Sequence, residues 1–150
     1  LAATMDLDAV TGRGHRVDED VKALPIVLGN YTEVVDGTTT SYDIETFNHG
    51  AATRKAKAIF EALGLGGDLQ RASNGRKIRA GKGTMRGRVH KTPRSVLLVV
   101  ARKEGLAQAV RNLPGVDVVA VKDLAAEDLA PGGDVGRLTV FTRSAVEAMN

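Results

Sequence analysis

One stretch of this chain, Val96-Leu-Leu-Val-Val-Ala101, is apolar at consecutive positions and does not alternate between apolar and polar residues. A strand that is apolar on both faces is typical of a parallel sheet covered by helices on each side. Similar short runs predict three more strands, and stretches with helical spacing lie between the strands. We therefore expect an α/β fold with an open, mostly parallel four-stranded sheet. The predicted strands are 24–28, 96–101, 116–121 and 137–142.

The predicted helices rest on apolar residues that recur three and four positions apart. This spacing predicts helices over 51–63, 104–113 and 124–129. Glycine ends helices readily, so we expect Gly64 and Gly66-Gly67 to end the first of them.

Three local expectations concern single residues. Ser144 and Glu147 have the spacing of a capping box, which predicts the start of a last helix. Val99 and Val119 lie in the centres of predicted strands and are expected to be fully buried. Residues 30–50 give no firm assignment, apart from a turn signal at Asp36-Gly37.

Composition excludes several classes of function. The 150 residues are enough for one domain. The chain has no cysteine, so disulfides, thiol nucleophiles and cysteine-ligated metals are excluded. Its three histidines, His15, His49 and His90, lack metal-ligand spacing and are expected on the surface or in loops. We therefore expect no metal and no cofactor. We also expect no membrane partner, since the longest apolar run has six residues.

Positive charge is concentrated in one glycine-rich segment, residues 71–94. No acid occurs from Leu69 to Lys103, and nine of the chain's 21 Lys and Arg residues lie in this segment. The other residues hold the remaining 12 cations and all 18 acids, so an acidic body carries one basic segment. Such concentration indicates a polyanionic partner, although a solvated basic loop is the simpler interpretation.

The residue types in this segment fit RNA. Arginine presents a fixed fork of donors that matches phosphate oxygens, and glycine lets backbone N–H groups approach an anion. The segment contains no aromatic residue, so we expect contacts with the phosphate and ribose of a folded RNA and no stacking on bases. Four glycines argue against a continuous helix. We expect residues 72–92 to be the least ordered basic stretch of the free protein.

Two sequence features resemble the phosphate-binding motifs of enzymes, but neither fits its motif. Gly81-Lys-Gly-Thr84 lacks the spacing of a phosphate-binding loop and precedes a strand, whereas that motif follows one. Arg86 stands where a dinucleotide fingerprint would need its third glycine. A small phosphate- or nucleotide-binding α/β enzyme that uses the crevice at the strand ends stays as an alternative.

Four ordered motifs carry a resemblance to a known family. The chain resembles the L4 family of large-subunit ribosomal proteins, in its archaeal and eukaryotic branch. The match is firm over residues 71–148, and residues 30–50 do not follow the family pattern. The motifs are Lys77-Ile-Arg-Ala-Gly-Lys-Gly-Thr-Met-Arg-Gly-Arg88, Arg94-Ser-Val-Leu-Leu-Val-Val100, Arg111-Asn-Leu-Pro-Gly-Val-Asp-Val118, and Asp128-Leu-Ala-Pro-Gly-Gly133 with Gly136-Arg-Leu-Thr-Val140.

The resemblance implies a three-layer α/β/α domain whose four strands have the spatial order 1-4-2-3. It implies a non-catalytic structural constituent of the large subunit that binds large-subunit rRNA beside neighbouring ribosomal proteins, on the cytoplasmic ribosome. Binding of messenger RNA as a translational regulator is a further alternative. Residues 1–150 would be one rRNA-binding domain, without the family's N-terminal part and its tunnel loop.

The candidate RNA-binding residues combine charge density, backbone access and the family pattern. They are Arg76, Lys77, Arg79, Gly81, Lys82, Gly83, Arg86, Gly87, Arg88, Lys91 and Arg94, with Arg137 as a weaker candidate.

Overall fold

The computed structural model describes residues 1–19, 21, 23–35, 38–42, 44–46 and 52–149. For 31–35 and 38–42 it describes the backbone alone. The strands are β1 Ile26–Leu28, β2 Tyr31–Val35, β3 Thr38–Tyr42, β4 Lys77–Ile78, β5 His90–Lys91, β6 Leu97–Val100, β7 Asp117–Ala120 and β8 Thr139–Thr142. The helices are α1 Leu7–Gly12, α2 Ala52–Ala62, α3 Gly66–Asn74, α4 Lys82–Met85, α5 Gly105–Val110, α6 Ala126–Leu129 and α7 Arg143–Ala148. Short 3-10 turns occupy Ala2–Thr4, Ile44–Thr46, Val121–Asp123 and Pro131–Gly133.

Four parallel strands form the central sheet in the order β1-β8-β6-β7. The parallel α/β fold is therefore confirmed. In labels that count all eight described strands, this order differs from the 1-4-2-3 that the resemblance implied. Counted among the four strands of the sheet alone, it is first, fourth, second, third. The labels differ because two small antiparallel hairpins, β2–β3 and β4–β5, add strands that the sequence did not predict.

Apolar side chains cover both faces of the sheet, because successive residues of β6 point to opposite sides. On one face, Leu98 and Val100 join a core cluster with residues of α1, α2, α3 and α5. On the other face, Leu97 and Val99 pack with Phe141 and with Ala145 of α7. All four residues of β6 have no exposed surface, as expected for the central strand.

Two expectations about helix ends are wrong. Gly64 ends the first predicted helix, at a backbone φ of +73°, but Gly66 and Gly67 begin α3. The capping residue of α7 is Thr142, whose side-chain oxygen accepts a 3.2 Å hydrogen bond from the backbone nitrogen of Ala145. The last residue of β8 thus starts the next helix directly, which leaves no room for a cap at Ser144.

The position of a strand in the sheet decides how far its residues are buried. Val99 is fully buried, as predicted. Val119 is only half-buried, because β7 is an edge strand with a neighbour on one side alone. In the stretch left unassigned, β2 and β3 pair so that Val35 faces Thr38; the Asp36-Gly37 turn signal between them lies outside the described residues.

Candidate nucleic-acid interface

The centre of the basic segment forms a compact projection, residues 76–91, here called the basic hairpin. Strands β4 and β5 pair at its base, and α4 forms its tip. The backbone nitrogen of Arg79 donates to the carbonyl of Val89 at 2.8 Å, and that of Arg88 donates to Gly83 at 3.0 Å. The hydroxyl of Thr84 donates to the carbonyl of Arg79. Backbone contacts therefore define the shape of the hairpin, and the basic segment is not one continuous helix, as its four glycines predicted.

The side chains of the basic hairpin point into solvent and do not pack on the rest of the domain. Apart from Gly83 and Thr84, which are half-buried, every residue from 76 to 91 is exposed. Within the described part of the chain, none of its seven cations pairs with a carboxylate. The structure thus brings seven predicted residues together on one projection: Arg76, Lys77, Arg79, Lys82, Arg86, Arg88 and Lys91.

The two-stranded base of the hairpin places like charges side by side. Lys77 is the direct partner of Lys91 across the ladder, and Ile78 is the partner of His90. Like charges at directly opposite positions destabilise a strand pair. A bound polyanion would attract both ammonium groups and offset their repulsion, so the arrangement favours a phosphate-rich partner.

Two predicted glycines give the hairpin its tip. Gly81 and Gly87 bracket α4 with φ angles of +81° and +77°, a region that favours glycine. A Cβ added at either position would meet no atom within 4 Å. Space is therefore open beside the backbone at both ends of the tip, as close approach of a ligand requires.

The two outer cations of the basic segment close its base. The guanidinium of Arg71 donates through Nε to Asp68 at 2.8 Å and through Nη2 to the carbonyl of Arg94 at 2.7 Å. The side chain of Arg94 is 56% exposed, and its Nη1 contacts both carboxylate oxygens of Asp117 at 2.5–2.6 Å. Arg94 is thus at the surface, as predicted, but its charge is already matched by an acid.

Asp68 anchors this closure from inside the domain. It has no exposed surface and accepts from Ser95 Oγ at 2.6 Å and from the backbone nitrogen of Arg16 at 3.0 Å, while His15 Nδ1 lies 3.2 Å from its carboxylate oxygens. Burial alone would raise the pKa of Asp68, but hydrogen bonds from His15, Arg71 and Ser95 outweigh it and hold the pKa far below its usual range. His15 is buried in this network; of the two predicted places, surface or loop, the structure gives it the loop.

Arg137, the weaker RNA-binding candidate, does not lie on the surface. Its side chain is 2% exposed. Nη2 contacts Asp117 at 2.5 Å, and Nη1 donates to the carbonyl of Asp128 at 2.9 Å. Burial lowers the pKa of the Arg137 guanidinium, and Asp117 opposes part of that shift. The prediction is corrected: charge alone cannot tell an arginine on an exposed projection from one that is buried between strands.

The crevice that open α/β sheets use for ligands is filled here by a side chain of the chain itself. Ligands in such folds bind beyond the carboxyl ends of the strands, where successive helices pass to opposite faces of the sheet. Between β6 and β8, Glu45 occupies this place at 4% exposure. Its carboxylate accepts from the backbone nitrogens of Ala101 (2.8 Å) and Arg102 (3.1 Å) and from Thr142 Oγ1 (2.5 Å). No sequence motif marked Glu45.

Among the described residues, no three His, Asp or Glu side chains come together as a possible metal site. His49 lies outside those residues. None of the helices in this part of the chain is long and apolar enough to cross a membrane.

Most of the chain, including the basic hairpin, matches known proteins. A model of the ribosomal protein L4/L1 family matches residues 25–150. Proteins described as "Large ribosomal subunit protein uL4" from Halobacterium salinarum, Methanocaldococcus jannaschii and Pyrobaculum aerophilum are 42%, 45% and 49% identical, over 98–99% of this chain. The chain spans about half the length of these relatives, 47–52%.

Proposed function

The chain belongs to the ribosomal protein L4/L1 family, and on this premise we propose that it is a non-catalytic structural constituent of the large ribosomal subunit that binds large-subunit rRNA through the basic hairpin. Its place is the cytoplasmic ribosome, where its further neighbours are other large-subunit proteins. The names of its relatives support this assignment.

A single observation carries the proposal: seven exposed cations without acidic partners lie on one projection that buries nothing of its own. Cations that served only solubility would be interspersed with acidic residues, as they are in the rest of this chain. Repulsion between Lys77 and Lys91 is tolerated because the segment serves a polyanion. Arg71 and Arg94 lie at the base of the hairpin and contribute less, because their charges are matched.

The alternative of a phosphate-binding enzyme needs the crevice at the carboxyl ends of the strands, and that crevice is occupied. Glu45 fills the crevice at the carboxyl ends of β6 and β8 with a negative charge, which would repel a phosphate group. The family supports a structural role as well. A binding function on the opposite, basic projection is the interpretation that remains.

The test is a salt titration of binding to a large-subunit rRNA transcript from Methanocaldococcus jannaschii. If about six hairpin cations neutralise phosphates, log K should fall with log salt at a slope of roughly −4 to −5. Changing Arg79, Lys82, Arg86 and Arg88 together to Ala should reduce the slope to about −1 to −2 and abolish tight binding. The thermal midpoint should barely move, because these side chains are exposed.

The matched control removes four positive charges from the acid-balanced body. Arg54, Lys57, Lys122 and Arg143 are all exposed. Their joint change to Ala should leave the slope within about one unit of the unmodified protein. Equal slopes for the hairpin variant and the unmodified protein would show that the hairpin does not contact the RNA phosphates.

A further inference from the structure

Two exposed apolar side chains on the basic hairpin have no role in the fold. We propose that Ile78 and Met85 pack against unpaired bases and ribose of the bound RNA, and so add an apolar contact to the phosphate contacts of the cations. This inference rests on the proposed function and goes beyond it, because phosphate contacts position a protein on RNA without selecting a particular structure.

The first observation is exposure. Ile78 is 70% and Met85 83% exposed, the two highest values among the large hydrophobic residues of the described chain. Val89, in the same hairpin, is 39% exposed. The hairpin has no buried residue, so no core of its own could take up these side chains. Polar residues would meet every structural need at positions 78 and 85.

The second observation is the arrangement of the two faces. Residues opposite each other in a strand pair share a face, and neighbours along a strand point to opposite faces. Lys77 and Lys91 therefore lie on one face, and Ile78 lies beside His90 on the other. At the tip, Met85 belongs to α4 and is next to the exposed Arg86. The apolar groups are thus placed among cations and do not form a separate apolar patch.

The charge around these groups identifies their partner. A partner that meets them must first accept seven positive charges, which only a polyanion does favourably. RNA combines that charge with apolar surfaces, which it shows where bases are unstacked in loops and bulges and along the ribose edge of its wide minor groove. Since Ile is stiff at χ1, fixing it against a base loses little conformational freedom. No aromatic residue occurs in the hairpin to provide that contact instead.

The experiment compares the intercept of the salt titration with its slope. The slope counts phosphate contacts, and the affinity extrapolated to 1 M salt reports the contacts that do not depend on charge. The double variant Ile78→Thr, Met85→Gln should lower that extrapolated affinity for the large-subunit rRNA transcript about tenfold and leave the slope unchanged. The double variant Val135→Thr, Met149→Gln is the matched control, because Val135 and Met149 are exposed and lie outside the basic segment.

Inorganic polyphosphate provides the second arm, because it has charge but neither base nor ribose. The Ile78/Met85 variant should bind polyphosphate as tightly as the unmodified protein does. An equal loss against both ligands would overturn the inference, since it would indicate a distorted hairpin. Unchanged RNA affinity in this variant would also overturn it, yet the proposed function would stand if the four-cation variant still loses slope. If the four-cation variant keeps the slope of the unmodified protein, the proposed function itself is rejected.

Discussion

Arg94 and Arg137, which lie just before β6 and β8, bind the same carboxylate, that of Asp117 in β7. The exposed Arg94 approaches from the start of β6 and the buried Arg137 from the start of β8. One acid at the beginning of the edge strand thus holds the amino ends of three strands together.

Removing the buried partner of this pair should destabilise the fold. Arg137→Met retains the length of the side chain but leaves Asp117 with one partner and the carbonyl of Asp128 without a donor. We expect the free energy of unfolding, measured in urea, to fall by about 3 kcal/mol. Arg143→Met, at an exposed pair with Glu147, should change it by no more than about 0.5 kcal/mol. A flatter salt slope for Arg137→Met would place Arg137 at the RNA after all.

Asp68 should make stability depend on acid pH. Folding lowers its pKa, so the unfolded chain takes up the proton first as the pH falls. Its stabilising contribution is therefore full above about pH 4 to 5 and is lost as the pH falls toward the native pKa. In Asp68→Asn, the fall in unfolding free energy from about pH 4 to pH 2 should be shallower, by up to ~1.4 kcal/mol per pH unit. Chemical denaturation across this range measures it, and the exposed Asp134→Asn should retain the unmodified slope.

Glu45→Ala should empty a small anion site. The backbone nitrogens of Ala101 and Arg102 would lose their acceptor, which we expect to reduce the free energy of unfolding by about 3 kcal/mol. Added formate can supply a carboxylate to the vacated place, so the thermal midpoint of the variant should rise with formate concentration. The unmodified protein should show no such rise. Equal responses of the two proteins would contradict the placement of Glu45.

Two valines of the same sheet should respond differently to a new charge. Val99 is fully buried in the central strand, whereas Val27 is 51% exposed on an edge strand. Val99→Asp would bury an unpaired carboxylate and should prevent cooperative folding, and Val27→Asp should cost about 1 kcal/mol or less. Near-ultraviolet circular dichroism with thermal melting distinguishes the outcomes. A cooperatively folded Val99→Asp protein would refute the assignment of β6.

Backbone amides of the basic hairpin should exchange with solvent much faster than those of β6. Its like charges repel, and none of its side chains is buried. Addition of the rRNA transcript should slow exchange over 76–91 and leave β6 unaffected. Hydrogen exchange followed by mass spectrometry measures both, and strong protection of the hairpin in the free protein would count against this prediction.

The positions of the main strands along the chain were predictable, because they depend on local pattern. Six consecutive apolar residues such as Val96–Ala101 indicate a buried strand. The glycines of the basic segment indicate that it is not one helix. Both signals are contained in a few neighbouring residues. They placed the four strands of the sheet within two residues of the observed bounds at each end, and they indicated a basic segment that is not one helix.

The polar partners were not predictable, because they come from distant parts of the chain. Asp68 binds His15 and Ser95, 53 and 27 residues away, and Glu45 binds Thr142, 97 residues away. A lone acid in a polar stretch has no pattern that shows burial. The same limit misplaced Arg137, whose charge resembles that of the hairpin cations until Asp117 is brought beside it by the sheet.

The bond from Arg71 to the carbonyl of Arg94 brings the chain back to the point from which the hairpin departs. Residues 76–91 are therefore an appendage, and we expect substitutions in it to change the stability of the domain little. Selection for folding acts on the sheet and its helices, and selection on the hairpin acts through its partner alone. Under the proposed function, a lineage could thus change the RNA contacts of the hairpin residue by residue while the sheet and its helices stay the same.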